Sequence, residues 1–116
     1  MAVLANATAS ARSMCAVALT TTLSTVLYTA PALNTNVTAP SSTAYVKEIV
    51  VANTTGASVN VTIGVNGVTI LGAVPIGAND TKVIGSMNTM LNAGATITGG
   101  ASATGVNVDI SGVEVQ

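Results

Sequence analysis

From residue 58 to 72 the chain reads SVNVTIGVNGVTILG, with Val59, Val61, Ile63 and Val65 alternating with Ser58, Asn60, Thr62 and Gly64. A period of two buries one face of a strand and wets the other. Asn66-Gly67 then supplies two neighbouring positions that tolerate positive φ, which predicts a type I′ hairpin returning through VTILGAV. Gly72 interrupts the return strand, as a bulge or a close packing contact would.

The rest of the chain keeps the same rhythm. TTLSTVLYTA alternates loosely, with Leu23 and Leu27 on one face and Val26 and Tyr28 on the other. A polar loop between Pro31 and Pro40 leads to TAYVKEIVVAN, a Val- and Ile-rich segment that predicts a central strand, and NTTGA turns the chain. After the hairpin come a PIGAND loop, a strand in TKVIGSMNTML, a tight NAG turn into ATIT, and a GGASATG loop. The closing segment VNVDISGVEV changes parity: Val106, Val108 and Ile110 share one face, whereas Val113 and Val115 belong to the other. An extra residue at Ser111-Gly112 would restore the face, so a β-bulge is expected there with Gly112 in the left-handed region; the other reading ends the strand at Ile110.

Seven or eight short strands at intervals of roughly ten residues, with turn signals between them, predict an all-β antiparallel β-sandwich. Residues 1–19 lack a clear period and are read as an N-terminal arm ahead of a sandwich domain at 20–116. Val3, Leu4, Met14, Val17 and Leu19 need cover, and β-addition to a neighbouring subunit is the expected route.

Composition sharpens this picture. Hydrophobic residues make up 49% of the chain, yet Phe and Trp are absent and Tyr occurs twice, so the core must be aliphatic. Charged residues make up 6%, against roughly 25% in an ordinary soluble domain. A surface of Thr, Ser, Asn, Gly and Ala at net charge -1 offers little electrostatic protection against association. Arg12, Lys47 and Lys82 are the whole cation inventory, too few to track a phosphate backbone, so nucleic acid is not an expected partner. No apolar run reaches the roughly 20 residues of a membrane-spanning helix, and no membrane partner is expected. Arg12 followed by MCAVALTTTLSTVLYTAPA has some features of a secretory signal, but TTT and ST interrupt it and it alternates like a strand. Cys15 is the single cysteine and is read as a small hydrophobic residue, with a reactive thiol or interchain disulfide as the alternative.

Candidate chemistry is sparse. Histidine is absent, and the carboxylates are Glu48, Asp80, Asp109 and Glu114. Asp109 and Glu114 share a strand, as the carboxylates of a glycosidase or Ca²⁺ pair can, but their alternation with core positions reads as outward and solvated. Lys47-Glu48, inside an apolar segment, reads as a sheet-edge or interface ion pair. Asn-x-Thr triplets begin at Asn6, Asn36, Asn53, Asn60 and Asn79, a weak pattern in a chain so rich in these residues. Gly99-Gly100 has no Lys-Ser/Thr partner and is not a phosphate loop, and Tyr28 and Tyr45 read as core residues. No catalytic, cofactor-binding or metal-ligating residue is assigned, and a non-enzymatic protein is expected.

LYTAPA at 27–32, TAYVKEIVVANTTGASVNVTIGV at 43–65, MLNAGATIT at 90–98 and VDISGVEV at 108–115 resemble, in that order and spacing, small β-sandwich structural proteins of tailed bacteriophages. The resemblance covers residues 20–116; the loop ALNTNVTAPSS is longer than in that family, and the first 19 residues have no counterpart there. It implies a virion location, as a capsid decoration (cement) protein on the major capsid protein lattice or as a tail or fibre component. It also implies self-association, with a trimer suggested by analogy with the three-fold positions of capsid lattices. A secreted surface adhesin is the reading from another class, and it requires the signal segment to be real.

Overall fold

A computed structural model describes residues 9–32, 42–85 and 87–115, with Ser42 described in its backbone alone. Nine strands follow in chain order: β1 (Ala9–Ala18), β2 (Val26–Thr29), β3 (Ser42–Asn53), β4 (Val59–Val65), β5 (Val68–Ile76), β6 (Thr81–Ile84), β7 (Thr89–Asn92), β8 (Thr96–Ala101) and β9 (Val106–Val115). They form two antiparallel sheets packed against each other, a β-sandwich with no helix among the described residues. The larger sheet runs β1-β9-β3-β6, with β7 also on β3; the smaller runs β2-β8-β4-β5.

The hairpin forms as its alternation dictates. Val59, Val61 and Ile63 are buried, and Asn66 and Gly67 take φ of 50° and 82°. Between the sheets lies an aliphatic core that includes Val46, Ile49, Val51, Leu91, Ile97, Val106, Val108 and Ile110. Each such side chain contributes about 1.5–3 kcal/mol by leaving water. TKVIGSMNTML holds two short strands, because β6 and β7 pair with different halves of β3: Ile49–Ala52 meet Ile84–Thr81, and Ala44–Val46 meet Leu91–Thr89.

The arm expected at 1–19 is corrected over its described part. Residues 9–18 are β1, paired along their length with β9 of the same chain. Cys15 and Leu19 enter the core, Met14 packs against it, and the Leu19 amide donates to the Val106 carbonyl at 2.8 Å. Val17 is 44% exposed. Val3 and Leu4 lie outside the described residues. The strand reads as periodless in sequence because its register shifts between Ser13 and Cys15, leaving Met14 as an unpaired extra residue.

The bulge expected in β9 lies instead on both of its neighbours. β1 carries its extra residue at Met14, opposite the step from Ile110 to Ser111, and β3 at Lys47, opposite the step from Ser111 to Gly112. β9 itself runs without a break in parity: Gly112 is buried in line with Val108 and Ile110, while Val113 and Val115 face the other way. Gly112 is not among the residues with positive φ. Its hydrogen side chain is required by space, since a Cβ there would overlap the Tyr45 carbonyl oxygen and lie 2.8 Å from Met14 Cε.

Two further glycines are strand residues where a loop was expected. Gly99 and Gly100 belong to β8, where a Cβ on Gly99 would meet Ile63 Cδ1 at 2.7 Å and one on Gly100 would meet the Thr22 carbonyl oxygen at 2.5 Å. The bulge signalled by Gly72 is present in β5, between the pairs Val61–Val74 and Ile63–Leu71, and Ala73 carries the positive φ of 49°.

Candidate functional site

Glu114 is the first sequence candidate that the fold reassigns. The alternation of β9 turns it toward the smaller sheet, where the Tyr28 hydroxyl donates to Glu114 Oε2 at 2.5 Å. Arg12 Nε lies 3.4 Å from Glu114 Oε1, and the Glu114 side chain is 19% exposed. Tyr28, on β2, thereby links the two sheets through a polar contact and is not a purely apolar core residue. Burial, then the hydrogen bond to Glu114 and its negative charge, raise the Tyr28 phenol well above its ordinary range.

Asp109 does face outward, as its alternation predicts, so the two carboxylates point to opposite faces of β9 and do not form a pair. Among the described residues no three of His, Cys, Asp and Glu approach closely enough to hold a metal ion. Cys15 is buried, and desolvation followed by the Asp109 charge raises its thiol pKa. Such a thiol is a poor nucleophile at neutral pH. Lys47 and Glu48 do not pair with one another; Lys47 Nζ donates to Asn88 Oδ1 at 2.7 Å.

Asn53 is a residue the triplet pattern misreads. It is 2% exposed. Its amide nitrogen lies 2.8, 3.0 and 3.1 Å from the carbonyl oxygens of Ala57, Ile76 and Gly77. Its Oδ1 accepts from the Thr55 amide and hydroxyl at 2.9 and 2.7 Å. The side chain is a knot that ties the loop after β3 to the end of β5, closed to a modifying enzyme in the folded chain. Asn60 and Asn79 are exposed, while Asn6 and Asn36 lie outside the described residues.

What the fold presents outward is broad and mainly apolar or hydroxylic, with a few charges near the middle of the larger sheet. On the larger sheet the register lines up Ala11, Val113, Tyr45 and Met90 across four strands. Ser13, Ser111 and Glu48 form the next row. Ala16, Asp109, Val50 and Val83 form the third, and Ala18, Asn107, Ala52 and Thr81 the fourth. Tyr45 therefore belongs to an outer face and not to the core. Two shallow depressions run along this face, one floored by Ala16, Ala18, Val50 and Ala52, the other by Ser13, Ser111, Lys47 and Asp109. The smaller sheet presents Thr62, Thr69 and Thr98 beside Leu23 and Ser24.

Sequence reasoning located the turn pair Asn66-Gly67 and singled out Ser111 and Gly112. It missed the Tyr28–Glu114–Arg12 cluster and the outer rows, both of which are set by cross-strand pairing. Comparison with protein-family models yields no match, and comparison with curated proteins yields none.

Proposed function

We propose that this chain is a non-enzymatic structural protein of a tailed-bacteriophage virion, and within it a decoration protein seated on the major capsid protein lattice. The observation that carries the reading is a two-sheet aliphatic scaffold whose outer faces are paved mainly with Ala, Val, Thr and Ser, the charges on the larger sheet being confined to Lys47, Glu48 and Asp109 near its middle. Faces of this kind suit broad contact with other protein surfaces. Outside the shallow depression at Lys47 and Asp109 they offer few convergent polar groups of the sort that orient a small substrate. The four-segment resemblance over residues 20–116 supports the same reading, and its segments are scaffold elements: β2, β3 with β4, β7 with β8, and β9. The adhesin alternative needs cleavage within a stretch that includes β1 and the residue after it, which supply Cys15 and Leu19 to the core.

Quantitative mass spectrometry of purified particles tests the proposal. Hundreds of copies per particle support a capsid decoration role, a handful moves the protein to the tail or a single vertex, and absence from particles overturns the virion reading.

A further inference from the structure

We infer that the outer face of the larger sheet is a self-association surface, on which a second copy of this chain packs face to face about a two-fold axis. The inference goes beyond the virion reading and does not depend on it.

Three observations support it. The face exposes large apolar side chains: Met90 is 62% and Val83 58% exposed, flanking the half-buried Tyr45 and Val50. Lys47 and Asp109 line one depression in the middle of this face, yet they form no ion pair with each other. Among the described residues the one ion pair is Arg12–Glu114. The face thus carries Lys47 and Asp109 in one depression with Glu48 in the row beside them, and none of the three has an ionic partner among the described residues of its own chain. A two-fold axis lying in the interface plane between them places Lys47 of each copy over Asp109 of the other, giving two ion pairs from one patch. Such self-complementarity is the signature of an isologous interface. A partner of uniform charge would leave one of the two groups against a like charge.

The area is adequate for a weak dimer. Four strands at about 4.8 Å and six residues of rise at about 3.3 Å, with side-chain margins, give roughly 500 Å² per copy and ~1,000 Å² in total, the threshold of a specific interface.

The test is sedimentation velocity on the full chain across the micromolar range, with thermal denaturation to confirm folding. Wild type should show a concentration-dependent dimer. D109K and K47D, both at exposed positions, should each weaken association about tenfold or more, and the double charge swap should restore it to near wild type. Val83→Glu should abolish the dimer while leaving the melting temperature nearly unchanged. A monomer at all concentrations overturns the inference. So does a dimer indifferent to these variants, which would place association at the β1 edge or the threonine-lined face. Failure of the double swap to rescue overturns the two-fold charge pairing.

Discussion

Gly112 is fixed by its neighbours and not by its own backbone angle. Because a Cβ there would overlap the Tyr45 carbonyl oxygen, Gly112→Ala should cost about 2 kcal/mol or more, read as a lower urea midpoint. Gly56, with nothing near its missing Cβ and no positive φ, is the control: Gly56→Ala should change stability by about 0.5 kcal/mol or less. Asn53→Ala strips a buried residue of donors and acceptors that hold the loop after β3 to the end of β5, and should cost about 2–4 kcal/mol in the same assay. Tyr28 gives a pH signature. Its phenol is raised in the folded state, so the folded chain holds the proton more tightly than the unfolded chain does. That contribution is complete below the ordinary phenol pKa of about 10 and is lost as pH climbs through the folded value. Stability should therefore fall above about pH 10, and Tyr28→Phe should flatten the fall relative to wild type in denaturant titrations.

β1 is the element whose role differs most from the reading of its sequence. An arm would be dispensable for folding. A strand hydrogen-bonded along β9 that places Cys15 in the core, and leads straight into the buried Leu19, is not. Deleting residues 2–16 should therefore abolish cooperative unfolding, checked by circular dichroism and a thermal scan. The paired bulges at Met14 and Lys47 explain why the strand was hard to see: each resets which residues face inward halfway along its strand, so neither β1 nor β3 keeps one parity from end to end. In β3 a long run of Val and Ile survives the reset and still reads as a strand. In β1 most residues are Ala and Ser, and Met14, Cys15 and Val17 are too few and too close together to show a period.

At the scale of the whole molecule, the chain repeatedly crosses between sheets. β4 and β5 alone among consecutive strands pair with each other; β1, β9 and β3 come together from the two ends and the middle of the sequence. Little of this topology is local, and loop closure must precede most of the pairing. Refolding should accordingly fall in the slow, millisecond-to-second class of all-β domains, measured by stopped-flow circular dichroism. The same topology brings Lys47 and Asp109 to one depression and Arg12 to Glu114, pairs separated by much of the chain.

The sequence by itself determined the all-β class, the β4–β5 hairpin with its Asn66-Gly67 turn, the central β3 strand, and the aliphatic, almost uncharged character of core and surface. These are local properties: period two, turn chemistry and composition act within a few residues. Only the tertiary structure decided that β1 belongs to its own sandwich, that the bulges flank Ser111-Gly112 instead of lying in it, and that Glu114 points inward to Tyr28. It also decided which rows of side chains form the outer face. Each of these depends on which strand lies beside which and in what register, and register is set by contacts between segments far apart in sequence that no local pattern records.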